Sequence, residues 1–96
     1  MTIEVKQAVK IAKDYIADLY FEESIADIGL EEVLKDDSGT KWFVTIGFHR
    51  QDESDAANKF LKLRNRQYKR VEIDDSPNSA EPGKVLSVKN RLSLAV

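Results

Sequence analysis

Residues that commonly carry catalysis are few in this chain, and none of them forms a recognisable catalytic motif. His49 is the only histidine and there is no cysteine, so a metal site built on these two residue types lacks ligands. A general base needs a nucleophile or an orienting acid beside it. The charged neighbours of His49, which are Arg50, Asp52 and Glu53, are instead typical of a strand end at the surface. We therefore expect a half-exposed histidine with no catalytic role.

The acidic sequence Asp-Asp-Ser-Gly-Thr at positions 36–40 is the pattern that most suggests calcium. An EF-hand loop that began at Asp36 would need glycine at position 41 and glutamate at position 47. The chain has Lys41 and Gly47 at these positions. A hairpin turn with Gly39 at positive φ is therefore favoured over a metal site.

The other carboxylates and the glycines do not indicate a catalytic or nucleotide site. Adjacent acids on a strand, such as Glu31 and Glu32, are expected to point to opposite faces of the sheet. The four glycines form neither a dinucleotide-binding motif nor a P-loop. We therefore predict no catalytic residue, no metal ligand and no cofactor, and we expect that the protein is not an enzyme.

A basic stretch with interleaved aromatic residues is the one feature that suggests anion binding. Six cations and no acid lie between Ala56 and Val71, a composition that suits a phosphate backbone and unstacked bases. The interpretation that we favour is that these cations lie opposite the acids of the same chain, with their stems covering sheet edges. The candidate partner-binding residues in this stretch are Lys59, Phe60, Lys62, Arg64, Arg66, Tyr68 and Arg70.

The elements that must position these residues are one helix and four strands. Apolar residues from Val5 to Leu19 recur at the spacing of one helical face, and Thr2 is a suitable N-cap. Runs with period-two alternation or β-branched residues, separated by turn clusters, predict the strands. These strands are expected at 28–34, 41–50, 68–75 and 83–89, and the stretch 51–66 fits either a short helix or the start of a long strand.

Sequential strands are expected to pair antiparallel, which predicts an α+β fold with the N-terminal helix packed on a four-stranded antiparallel meander sheet. A chain of 96 residues is expected to form a single domain, 1–96. One face of the second strand is aromatic and β-branched, so we expect it to be buried against the helix. The strand residues are Trp42, Val44, Ile46 and Phe48, and their helix partners are Val9, Ala12, Ile16 and Leu19.

The order of elements and the closing pattern carry a resemblance to a known family. Tyr68-x-x-Val71-x-Ile73-Asp74 is followed by Gly-Lys-Val-Leu-Ser-Val at 83–88. With the preceding helix and aromatic strand, this resembles PepSY-like domains and, more loosely, the cystatin-like group in which a helix packs on a meander sheet. The resemblance implies a non-catalytic module that binds or restrains another protein, and it transfers no catalytic residue. The basic stretch has no counterpart in that pattern.

The C-terminal residues continue the alternation of the last strand. Leu92, Leu94 and Val96 follow the apolar positions Leu86 and Val88. An apolar edge can pair with another chain through backbone hydrogen bonds, and in a homodimer such pairing is reciprocal. We therefore predict that the last strand is a principal interaction edge, with a homodimer as its simplest form.

Together these patterns predict a small non-enzymatic protein-interaction domain of the inhibitor, immunity or regulatory type, whose partner is another protein. The alternative is a nucleic-acid-associated protein that uses the basic stretch 59–70. A net charge of −2 predicts no general attraction to nucleic acids or to anionic membranes. Neither a membrane-spanning run nor a signal-peptide pattern is present, so we expect a cytoplasmic protein without a membrane partner.

Overall fold

One helix and four strands make up the part of the chain that the computed structural model describes, which is residues 3–50, 66–77 and 80–91 without the side chain of Arg50. The strands form one antiparallel sheet in the order β1-β2-β3-β4. This confirms the predicted α+β meander. The elements are α1 (Val5–Leu19), a single 3₁₀ turn (Phe21–Glu23), β1 (Ile25–Lys35), β2 (Lys41–Arg50), β3 (Gln67–Asp74) and β4 (Val85–Arg91).

The helix begins later than the sequence suggested. Glu4 is the N-cap, and its backbone N–H donates to the Gln7 side chain at 2.9 Å. A glutamine three residues after the cap can satisfy this donor, as in a capping box. The prediction that Thr2 caps the helix is therefore wrong.

The core lies between α1 and the helix-facing side of β1, β2 and β3. Val44, Ile46 and Phe48 are fully buried, as predicted, and Trp42 is half-buried. Ala12 and Ile16 face them from the helix as expected. Leu19 is 51% exposed, which corrects its predicted place in the core. The ring of Tyr20 packs on Phe48 instead, with 5.1 Å between the ring centroids. The other fully buried apolar residues are Ala8, Val71 and Ile73.

The first hairpin turn is built around the carboxylate of Asp36. Its Oδ1 accepts the backbone N–H groups of Thr40 at 2.7 Å and Lys41 at 3.1 Å, and its Oδ2 accepts the Ser38 hydroxyl at 2.8 Å. Gly39 has φ 73°, a conformation that is accessible to glycine at little cost. Both oxygens of Asp36 thus serve the predicted turn.

A buried carboxylate joins the two hairpins to the start of the chain. Asp75 follows β3 and is fully buried. Its Oδ1 accepts the backbone N–H of Ile3 at 2.8 Å, and its Oδ2 accepts the Trp42 indole N–H at 3.1 Å and lies 3.0 Å from Lys35 Nζ. Burial acts to raise the pKa of Asp75, but these three donors together hold that pKa below its usual range. The carboxylate is therefore charged and stabilising at neutral pH.

Truncation of Ile46, which is fully buried, tests the assignment of the core. Ile46→Ala should lower the free energy of unfolding by about 2–5 kcal/mol, because it removes buried methyl groups and leaves a cavity. Leu34→Ala is the matched control, since Leu34 is 47% exposed, and it should cost less than about 0.5 kcal/mol. Urea titration of both variants measures the difference. Equal costs would contradict the assignment of the buried face.

Replacement of Asp75 tests how much its buried carboxylate contributes to stability. Asp75→Asn should cost about 1–3 kcal/mol at neutral pH, since it weakens the hydrogen bonds that the charged carboxylate accepts from Ile3 and Trp42 and removes its pairing with Lys35. A folded-state pKa below the unfolded value of about 3.9 gives a contribution that is present above that value and lost as the pH falls through the folded pKa. Urea titrations from neutral pH down to about pH 2 should therefore show that the free energies of unfolding of the wild type and Asp75→Asn converge as the pH falls.

The matched control for this pH series is Asp37→Asn, in the exposed part of the first turn. It should change the free energy of unfolding by less than about 0.5 kcal/mol at neutral pH. A difference between the wild type and Asp75→Asn that stays constant across the pH range would contradict the assigned role of the Asp75 charge.

Candidate interaction site on the open face of the sheet

The side chains opposite the helix form the second face of the sheet, which we call the open face. On β2 this face carries Phe43, Thr45, Gly47 and His49, because alternate residues of a strand share a face. The strand register aligns the side chains of neighbouring strands in rows across the sheet. One row runs Glu32, Thr45, Arg70, Lys89, and its neighbours run Leu34, Phe43, Glu72, Ser87 and Gly29, Gly47, Tyr68, Arg91.

A β-bulge places two neighbouring acids on the open face. The register of β1 shifts between Leu30 and Glu32. As a result Glu32 lies opposite Thr45, while the Glu31 carboxylate lies over Gly47. The expectation that Glu31 and Glu32 point to opposite faces is therefore wrong, because the extra residue of a bulge interrupts the alternation.

The guanidinium of Arg66 lies over Gly29 and Gly47 at one end of the open face, and we call this site the Arg66 seat. Its Nε and Nη2 lie 2.7 and 2.6 Å from Glu31 Oε2, and its Nη1 donates to the Asp27 carbonyl at 3.0 Å. A Cβ added at Gly47 would come within 2.7 Å of Arg66 Nε, and one at Gly29 within 3.3 Å of its Nη2. The absence of side chains at these glycines therefore leaves space for the guanidinium above the sheet.

His49 lies beside this seat and is buried. Only 7% of the residue is exposed, and its Nδ1 is 3.0 Å from Asp27 Oδ2. Asp27 has φ 57° at the first bulge of β1, and this left-handed backbone brings its carboxylate onto the ring. The expectation of a half-exposed histidine is therefore wrong. Sequence gave no signal for this pair, because its members are far apart in the chain and the bulge that joins them was not predicted.

The centre of the open face is a network in which cations outnumber acids. Glu32 Oε1 accepts a charge-assisted hydrogen bond from Arg91 Nη1, and it lies 3.8 Å from Arg70 Nη2. Thr45 is fully buried beneath them and accepts from Arg91 Nη1 at 3.3 Å. Two guanidinium groups thus share one carboxylate. Arg70 also lies 5.5 Å from the ring centre of Phe43, so it covers that aromatic face.

The second acid of the network is fully engaged. Glu72 Oε2 accepts the Ser87 hydroxyl at 2.7 Å, and its Oε1 lies 3.1 Å from Lys41 Nζ. The hydrogen bond from Ser87 and the contact with Lys41 hold the pKa of Glu72 below its usual range. Lys89, on the edge strand, is near enough to contribute a weaker attraction to the same charge.

The balance of charge on this part of the face is positive. Against the carboxylates of Glu32, Glu72 and Asp74, the last of which lies opposite Lys41, stand four cations. These groups therefore carry one more positive than negative charge, although the whole chain has a net charge of −2. A shallow depression of about 270 Å³ lies among Arg70, Lys89, Asn90 and Arg91. The four cations are Lys41, Arg70, Lys89 and Arg91.

The structure brings three of the predicted partner-binding residues onto one face. Arg66, Tyr68 and Arg70 share the open face, whereas Lys69 lies on the helix side, where its Nζ is 5.8 Å from the ring centre of Tyr20. The sequence reasoning missed Lys89 and Arg91, although their alternation opposite Arg70 and Tyr68 follows from pairing the last two strands. Lys59, Phe60, Lys62, Arg64, Leu92, Leu94 and Val96 lie outside the described residues.

Within residues 3–50, 66–77 and 80–91, no group of three or more His, Cys, Asp or Glu side chains is placed to hold a metal ion. The helix described here is too short and too polar to cross a bilayer.

Comparisons with protein-family models, with curated proteins and with solved structures find no match to this chain. The resemblance to PepSY-like and cystatin-like domains therefore stays a prediction.

Adding a methyl group at Gly47 tests the seat of Arg66. Gly47→Ala should displace the Arg66–Glu31 pair, since the new Cβ would lie 2.5 Å from Glu31 Oε2, and should cost about 1 kcal/mol after the gain in strand propensity. Gly29→Ala is the milder control, because its nearest contact is 3.3 Å. In a Glu31→Gln background the cost of Gly47→Ala should fall, as urea unfolding can measure. An unchanged cost in that background would contradict the claim that Gly47 leaves room for the Arg66–Glu31 pair.

Proposed function

We propose that this protein is a small non-enzymatic interaction domain of the inhibitor, immunity or regulatory type, and that it binds another protein through β4 and the open face beside it. The observation that carries this proposal is the position of β4 in the sheet. Among the described strands, Val85–Arg91 pairs with β3 only. An edge strand presents backbone N–H and C=O groups to which an extended segment of a partner can add.

The other edge of the sheet is less suited to strand addition. β1 contains two register shifts and the left-handed residue Asp27, and such irregularities twist an edge away from further pairing. β4 has one register shift, near its start, and is regular from Ser87 to Arg91. Leu86 adds an exposed apolar side chain to this edge, with 45% of the residue exposed. These features favour β4 as the binding edge.

Nucleic-acid association is the second candidate, and the positive balance of the open face is the observation that favours it. One feature places it second. The ring of Phe43 lies against the Arg70 guanidinium, which occupies an aromatic face that a base would need for stacking.

Exposed leucines on the two edge strands provide a matched pair of variants. Leu86→Glu on β4 should remove the bound protein, because it places a charge at the binding edge, while Leu30→Glu on β1 should leave binding intact. Leu86 and Leu30 are 45% and 42% exposed, so neither variant should change stability by more than about 0.5 kcal/mol. The measurement is quantitative capture from native lysate with wild type and both variants as bait.

Nuclease treatment of the same lysate separates the two candidate functions. A captured protein that survives nuclease, is lost with Leu86→Glu and is retained with Leu30→Glu supports the proposal. Capture that disappears with nuclease supports nucleic-acid association instead. Loss with Leu30→Glu but not with Leu86→Glu would contradict the choice of edge. Sedimentation of the full-length protein tests the predicted homodimer separately.

A further inference from the structure

Two like charges face each other at the centre of the proposed binding surface. Arg70 of β3 lies directly opposite Lys89 of β4, and Arg91 lies one position further along the same face of β4. Like charges in directly opposed positions destabilise a sheet. We call Arg70, Lys89 and Arg91 the cation cluster; they line the depression of about 270 Å³.

Among the described residues, the acids near Arg70 and Lys89 do not fully compensate these two cations. Glu32 is bound to Arg91, and its distance of 3.8 Å from Arg70 Nη2 exceeds a hydrogen bond. Arg70 Nε is buried and has no hydrogen-bond partner among the described residues. Each carboxylate oxygen of Glu72 already has a partner, since Oε2 accepts from Ser87 and Oε1 contacts Lys41. The sheet therefore maintains an unfavourable charge arrangement that an added anion would relieve.

We infer that the cation cluster binds carboxylate side chains of an extended acidic segment that adds to β4. This inference rests on the proposed function, since it names the chemistry of the partner that the edge would bind. Residues of an added strand alternate between the two faces. Side chains at every second position would therefore meet Lys89 and Arg91 on the open face, so the expected segment carries Asp or Glu at alternate positions.

Charge and geometry favour this occupant over other partners. A second copy of the chain would bring another β4 edge, and with it another Lys89 and Arg91, next to the first, which increases the repulsion. A peptide combines carboxylates with the backbone groups that an edge strand can pair with, whereas a phosphate backbone uses only the charge. An acidic extended peptide therefore satisfies both features of β4.

The test measures binding of synthetic peptides to the intact chain by fluorescence anisotropy. The probe is a labelled Thr-Glu-Thr-Glu-Thr-Glu-Thr peptide, and its controls are the peptide with Gln in place of Glu and a peptide of the same composition with the three Glu in one block. An oligothymidylate of equal charge is the nucleic-acid control. The alternating Glu peptide should bind at least about tenfold more tightly than each of the other three probes, with an affinity that falls as salt increases.

Substitutions of Lys89 connect this binding to the cation cluster. Lys89→Glu should weaken binding of the alternating peptide by about tenfold or more. The melting temperature of this variant should change little, because a new attraction to Arg70 opposes the loss of the attraction between Lys89 and Glu72. Lys89→Arg should retain binding. Lys6→Glu makes the same charge change on the exposed side of the helix and should leave binding unchanged.

Several results would overturn the inference. These are equal binding of the Glu and Gln peptides, tighter binding of the oligothymidylate, no binding of any probe, and an equal loss with Lys6→Glu. Failure of this inference can be told apart from failure of the proposed function. If a lysate partner is lost with Leu86→Glu but fully retained with Lys89→Glu, binding at β4 is supported and the acidic segment is contradicted.

Discussion

The arrangement of the elements depends on the contacts of one buried carboxylate, that of Asp75. It joins the start of the chain, the end of β1, the start of β2 and the end of β3, through Ile3, Lys35 and Trp42. A buried carboxylate is costly unless its oxygens are satisfied, and here three donors satisfy them. The same residue donates its backbone N–H to the Thr40 carbonyl at 2.8 Å, which connects it to the first turn.

The contacts of Asp75 lie at the start of the second hairpin, which leads into β4. Next to Asp75, the backbone of Asp74 donates to the Lys84 carbonyl at 2.8 Å and accepts from Gly83 N–H at 2.7 Å. Gly83 has φ 93°, a backbone conformation that favours glycine. The register then shifts once, between Glu72 and Ile73, and places Lys89 opposite Arg70. The charge arrangement of the open face thus depends on this register shift as well as on how the chain closes at the opposite end of the sheet.

Sequence periodicity predicted the parts of the fold in which every residue follows a simple rule. β2 was expected at 41–50 and is found at Lys41–Arg50, because its alternation is uninterrupted and its apolar side packs on the helix. β1 was expected at 28–34 and spans Ile25–Lys35. Its two register shifts and the left-handed Asp27 break the alternation from which a strand is recognised.

The candidate site was only partly predictable for the same reason. The basic stretch drew attention to Arg66 and Arg70, but a linear stretch of a strand divides between two faces. The partners of these arginines come from β1 and β4, and they depend on a bulge and on strand register. Neither could be derived from composition. The acids Glu31 and Glu32 occupy one face because of that bulge.

Hydrogen exchange of the protein, free and bound to a partner captured from its native lysate, tests most directly whether β4 is the binding edge. Strand addition would engage outward-facing backbone N–H groups of Val85–Arg91, so these amides should gain protection on binding while those of β1 stay unchanged. Protection that increases in β1 or on the exposed side of α1, with β4 unaffected, would contradict the account.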